Sequence, residues 1–245
     1  EDWYRLMLNY LLELAKTVSS KYTRSKVRRA LPKEFGDIID ELLHFMPDED
    51  DNQIRYHRQI LDTIIGIENS EEFIVALAEL IKRLAVDHLH IVGDIFDRGG
   101  DADKIMDLLM EYHSLDIEWG NHDILWMGAA CGNEASIATV VKNNMKYNNI
   151  QILESGYGIS LRSLVLFGEQ TYPKLEVMEA AQKALSIILF KLEGQTILRH
   201  PEYNMEDRLL LDKIDYENKT VVSEQVTYDM KDTDFPTVDK KHPYE

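Results

Sequence analysis

The sequence predicts an α/β chain in which a largely helical region precedes a strand–helix–strand core. Three observations point there. Apolar residues recur at helical spacing through residues 1–85, the period shifts toward alternation near residue 86, and each of the next two strands runs into a glycine-led turn. The expected division is a helical region at 1–85, an α/β core at 86–155, a helical segment at 156–212, and a β-hairpin with an extended tail at 213–245.

In the first region, Trp3, Leu6, Tyr10, Leu14 and Val18 form one stripe, widened by Leu11 and Leu12. Phe35, Ile38, Ile39, Leu42 and Leu43 form a second; Ile54, Ile60, Ile64 and Ile65 a third. Phe73, Ala76, Leu77, Leu80, Ile81 and Leu84 form a fourth, with Ser70 placed to cap it. The acidic run Pro47-Asp48-Glu49-Asp50-Asp51 reads as a solvated loop, with loose cation holding as the alternative. Val86–Val92 then reads as a strand, a helix carrying Ile105, Leu108, Leu109 and Tyr112 starts near Asp101, and Leu115–Trp119 reads as a second strand. Such a crossover makes the strands parallel and places both turns at one carboxyl edge, where open α/β sheets hold ligands. Helices are expected over Ile124–Ala130 and Ala135–Tyr147, separated at Gly132 with Asn133 as cap. A third strand is expected at Asn149–Leu153, helices at Leu161–Tyr172 and Leu175–Leu192, and a hairpin around Glu217-Asn218-Lys219.

Composition removes several classes of function. The 245 residues carry 27 basic and 44 acidic side chains, a net charge of −17, which disfavours general binding to nucleic acid or anionic lipid. No apolar run approaches the roughly 20 residues of a membrane span. The single cysteine, Cys131, excludes an intrachain disulfide framework, fits a reducing cytoplasm, and reads as a packed thiol. The chain opens on Glu1 and is expected to be a piece of a longer polypeptide; a homo-oligomer is compatible with it.

Two stretches carry the chemistry: Gly93-Asp94-Ile95-Phe96-Asp97-Arg98-Gly99 and Gly120-Asn121-His122-Asp123. A carboxylate such as Asp94 can bridge two hard cations, and the amide oxygen of Asn121 is a neutral ligand for one of them. The Arg98 guanidinium can grip two phosphate oxygens. His122 can protonate a leaving alkoxide while Asp97 orients its ring. Each residue also has a commonplace role: a turn for Asp94, a local ion pair for Asp97 and Arg98, a helix start for Asn121 and His122. Two such loops at adjacent strand ends favour phosphate-ester hydrolysis.

These stretches resemble the second and third signature blocks of the calcineurin-like metallophosphatases, whose fold is a two-sheet sandwich flanked by helices. The resemblance implies that Asp94 bridges two metals, Asn121 binds one, His122 is general acid paired with Asp97, and Arg98 holds the phosphate. Ser20–Arg28, Ala30–Phe35, Val86–Asp94, Trp119–Asp123, Leu192–Gln195 and Arg208–Asp215 narrow it to class 3 fructose-1,6-bisphosphatase. That family implies removal of the 1-phosphate of fructose 1,6-bisphosphate, with two manganese ions, in gluconeogenesis. The family opens its site with Asp-x-His, a triplet absent here, and supplies further histidines later. The chain therefore reads as a middle segment holding an incomplete sandwich, inactive by itself. Rival readings are a phosphoprotein phosphatase and a noncatalytic scaffold that kept the fold.

Arg24, Lys26, Arg28 and Arg29 form a basic cluster in this acidic chain, a candidate for a second phosphate or an anionic effector, against a solvated helix face paired with acids. His88 and His90 share one strand face and read as buried, hydrogen-bonded structural histidines, with metal binding as the alternative. Trp119 and Trp126 are expected to wall the second loop.

Overall fold

The computed structural model describes residues 2–44, 51–67 and 69–245. It is mixed α/β, mostly helical, with two small sheets. The chain divides into two compact units, residues 1–90 with 113–116, and residues 91–112 with 117–245.

The first unit holds α1 (Asp2–Ser19), α2 (Arg24–Ala30), α3 (Gly36–His44), α4 (Asp51–Gly66) and α5 (Ser70–Ala85). Its core joins Leu8, Leu12 and Ala15 of α1 to Phe73, Leu77, Leu80 and Leu84 of α5, with Val27, Ile39, Leu42 and Ile64 from the helices between them. The stripe predicted for α1 holds only in part: Leu12 is buried and Leu11 and Val18 pack against the core, whereas Trp3, Leu6, Tyr10 and Leu14 are exposed. α1 is apolar on more than one side, so its own spacing allows either face. The apolar face of α5 decides which is buried. Ser70 does not cap α5 but is its buried first residue, with Asn69 ahead of it. Of the acidic run, residues 47–50 lie outside the described residues, and Asp51 starts α4.

Next come β1 (Leu89–Ile91), α6 (Ala102–Met110) and β2 (Leu115–Ile117). The strands are hydrogen-bonded neighbours, shorter than predicted. Leu89 N–H donates to Ser114 O at 3.0 Å and Glu118 N–H to Ile91 O at 2.8 Å, a parallel progression. Both strands therefore run out at the same edge.

The second unit continues with α7 (Asn121–Ala130), α8 (Glu134–Lys146), α9 (Arg162–Thr171) and α10 (Val177–Arg199). Asn133 caps α8 as expected, accepting from Ser136 N–H at 2.8 Å. The strand predicted at Asn149–Leu153 does not form; Ile150–Gln151 are helical and Ile152–Gly156 make a π-helical turn. Consecutive Ile152 and Leu153 are both buried, which a strand with alternating faces does not achieve against one core. Leu153 joins Ala138, Val141, Met145, Leu161, Ala181, Leu185 and Leu189 in the main cluster of this unit.

The expected hairpin is present as β3 (Ile214–Asp215) and β4 (Thr220–Ser223), and β5 (Val226–Asp229) extends it to an antiparallel meander. The last residues have no regular structure, yet they are docked on α10 rather than simply extended. Tyr244 is buried with Ile197, Leu209 and Leu211, its hydroxyl accepts from Leu211 N–H and donates to Asp212 Oδ1, both at 3.1 Å, and its carbonyl accepts from Gln195. Burial and the neighbouring Asp212 carboxylate push the Tyr244 phenol up to about 12. Cys131 is exposed rather than packed, because it sits at the turn ending α7. Among the described residues, no helix is long and apolar enough to cross a membrane.

Candidate active site

The loops after β1 and β2 meet at their glycines. Gly93 has φ +90°, and a Cβ there would stand 2.5 Å from Gly120 N and 2.9 Å from Glu118 O. A Cβ on Gly120 would stand 2.0 Å from Asp94 Oδ1. Only glycine at both positions permits this approach. Asp94 itself takes the left-handed conformation, φ +54°, which short polar side chains tolerate better than most.

The approach lets the second loop hold the first. Asp123, buried in the first turn of α7, accepts from Asp94 N–H at 2.5 Å and Gly120 N–H at 2.8 Å through Oδ2, and from Phe96 N–H at 3.2 Å through Oδ1. In return Asp94 Oδ1 accepts from His122 N–H at 3.2 Å, placing a carboxylate at the positive end of α7. The sequence reading missed Asp123. Its signal is an acid at the third helical position after Gly120, where a carboxylate reaches back to orphan N–H groups.

The side chains predicted for catalysis come together. His122 Nε2 lies 2.9 Å from Asp97 Oδ1, an ion-pair distance without hydrogen-bond alignment, and Arg98 Nε lies 3.4 Å from the same oxygen. The Arg98 guanidinium stands 5.1 Å from the Tyr147 ring centre while its backbone carbonyl accepts from Asn149 Nδ2 at 2.8 Å. Asn149, assigned from sequence to a strand, is instead a buried clamp on this loop. Asn121 is exposed at the first position of α7. Phe96 of the first loop stacks on Trp126 at 4.4 Å, and Trp119, expected to wall the second loop, is exposed. Asp94 and Asn121 offer a carboxylate and an amide oxygen, the donors hard divalent ions take. Their kind fits a metal; their number does not make a cage, and among the described residues no group of three or more His, Cys, Asp or Glu is arranged to hold one.

The other candidates lie in the first unit. Arg24 Nη2 and Arg28 Nε each stand 3.3 Å from Asp40 Oδ2, and Lys26 pairs with Asp87, whose carboxyl that contact holds below its ordinary range. Three of the four cations thus already have carboxylate partners, which favours the paired helix face; Arg29 is exposed. His88 and His90 are hydrogen-bonded but not buried: Asp116 accepts from or faces both, at 2.5 Å and 2.7 Å, and the two rings, His90 first, hold its carboxyl below the usual range.

These features define a mixed α/β chain whose paired strand-end loops bring carboxylate, imidazole and guanidinium into one cluster. The chain belongs to the Firmicute fructose-1,6-bisphosphatase family, whose model it matches over residues 1–245. It is 54% identical over 265 aligned residues to "Fructose-1,6-bisphosphatase class 3 1" of Clostridium beijerinckii, with all of this chain and 40% of the relative covered. It is 50% identical to the class 3 enzyme of Clostridium acetobutylicum, over 100% of this chain and 40% of that one. With that of Listeria innocua the identity is 49%, over 99% and 40%. The chain spans about 40% of the length of the curated relatives it matches. No solved structure matches it.

Proposed function

We propose that the complete protein containing this chain removes the 1-phosphate of fructose 1,6-bisphosphate, a step of gluconeogenesis in the cytoplasm. Family membership and the names of the relatives support the substrate. The carrying observation is the convergence of the two loops, with His122 Nε2 at 2.9 Å from Asp97 and His122 N–H on Asp94. The whole enzyme is read as a calcineurin-like metallophosphatase sandwich, of which β1, α6 and β2 are a part.

Asp94 and Asn121 would contribute to the holding of two divalent ions, with manganese the preferred metal. When bound, such a pair neutralises phosphate oxygens and acidifies water. The chain's own groups have separable tasks. Arg98, two-thirds exposed, grips the phosphoryl oxygens in a planar fork. Asp97 faces Nε2 of His122 and orients its ring, which leaves Nδ1 to pass a proton to the sugar oxygen. Asp123 touches no substrate; it holds the two loops at one spacing.

The test is product analysis with the complete protein and manganese. Release of phosphate from fructose 1,6-bisphosphate, leaving fructose 6-phosphate, is expected at a kcat/KM well above that for a phosphoserine peptide. A peptide preference would overturn the substrate, and failure to bind two divalent ions on titration would favour a scaffold.

A further inference from the structure

The turn that ends α8 reaches the first loop, and both lie in the second unit. Tyr147 closes the helix and Asn148 takes the left-handed conformation, φ +58°. Asn149 N–H donates to Asn144 O at 2.8 Å and Asn148 N–H to Met145 O at 3.4 Å, the paired bonds of a Schellman ending. Asn tolerates that left-handed position better than most residues. The reversal brings Tyr147 and Asn149 to the same residue, one at its head and one at its backbone. Asn149 Nδ2 donates to the carbonyls of Arg98 at 2.8 Å and Gly99 at 3.3 Å, while the Tyr147 ring centre stands 5.1 Å from the Arg98 guanidinium. Asn149 is buried and Tyr147 half-buried, so this holder is anchored in the unit that carries the loop.

The Arg98 head needs such a hold. Its side chain is 66% exposed and a carboxylate stands beside it. A guanidinium free to choose closes on a carboxylate as a fork with bonds of roughly 2.7–2.9 Å, which spends the donors that would grip a phosphate. Here Nε stops 3.4 Å from Asp97 Oδ1, and that oxygen accepts no hydrogen bond. Asp97 Oδ1 thereby keeps its place 2.9 Å from His122 Nε2. An aromatic face attracts a guanidinium without using any of its N–H groups. We propose that Tyr147 is a positioning residue for phosphate binding: its ring holds Arg98 off Asp97 and keeps the guanidinium fork open to phosphoryl oxygens. The inference rests on the reading of Arg98 as the phosphate-gripping group. The role belongs to the ring, not to the hydroxyl.

The test is steady-state kinetics of the complete protein on fructose 1,6-bisphosphate. Tyr147→Leu is expected to raise KM by about three- to fivefold, the scale of one exposed cation–π contact, with kcat changed by less than about twofold. Tyr147→Phe keeps the ring and should restore the wild-type KM. In an Arg98→Met background, Tyr147→Leu should have no further effect, because it acts only through the guanidinium. Lys146 Nζ also approaches this ring, at 5.4 Å, so Lys146→Met is the companion control and should leave KM unchanged. A KM unmoved by Tyr147→Leu, a loss that persists undiminished without Arg98, an equal loss in Tyr147→Phe, or a matching rise in Lys146→Met would overturn the proposal. Should Tyr147→Leu fail to fold, Tyr147→Gln takes its place under the same expectations. A wild-type KM in Arg98→Met itself would sink the phosphate reading of Arg98, and the inference with it; a raised KM there with Tyr147→Leu silent sinks the positioning alone.

Discussion

Replacing Asp123 by Asn probes the contact that fixes the site without touching any group proposed to meet substrate. The carboxylate accepts three backbone N–H groups, two on Oδ2 and one on Oδ1, from residues on both loops. An Asn amide has one acceptor oxygen. If it faces Asp94 and Gly120, its NH₂ group confronts Phe96 N–H, and the reverse orientation orphans two donors. A buried donor left unsatisfied costs about 1–3 kcal/mol, and conversion of charge-assisted to neutral bonds adds roughly another 1 kcal/mol. The expected loss is therefore about 2–4 kcal/mol in a urea titration of the complete protein. Because the lost contacts join the two loops rather than either core, kcat is expected to fall more steeply with urea in the variant than its global unfolding does. A change below about 0.5 kcal/mol, the range of ordinary surface substitutions, would refute the clamp.

Three other outcomes follow from named contacts. Arg98→Lys keeps the charge but loses the planar fork, so KM should rise by about tenfold or more with a smaller effect on kcat; an unchanged KM would remove Arg98 from phosphate binding. Gly93→Ala puts a methyl 2.5 Å from Gly120 N at a positive φ, and should lower the thermal midpoint, with a cost of about 2–4 kcal/mol. Tyr244 is held protonated in the folded chain with its phenol raised from 10 to about 12, so its stabilising contribution is complete below pH 10 and is lost as pH rises from 10 through about 12. Urea midpoints at pH 8 and pH 11 should therefore fall further for the wild-type protein than for Tyr244→Phe, and equal falls would contradict the docked tail.

What the sequence disclosed and withheld has a physical pattern. The loops were legible because Gly93, Asp94, Gly120 and Asn121 sit where a period-two run stops, and a strand–helix–strand unit forces both stops to one edge. The buried face of α1 was legible only in part: Leu12 lay in the predicted stripe, but the leucines surround the helix, and Leu8 and Ala15 are selected by the helices packed against them, α5 above all. Short apolar runs are ambiguous between strand and helix, and Asn149–Leu153 fell the other way when the Asn149 side chain was drawn onto the Arg98 and Gly99 carbonyls. β5 escaped notice because the turn before it, Glu224-Gln225, takes positive φ at both residues without the Asn or Gly that announces such turns. Asp123 was harder to see because its partners are backbone donors rather than side chains, so its third helical position after Gly120 is its cue.

The most direct measurement of the central claim compares leaving groups in His122→Asn of the complete protein. If the two loops present His122 to the departing oxygen, kcat should fall by about 10²–10⁴ on fructose 1,6-bisphosphate, whose sugar alkoxide needs a proton, and by far less on p-nitrophenyl phosphate, whose phenolate leaves without one. Equal losses on both substrates, or no loss on the sugar phosphate, would contradict it.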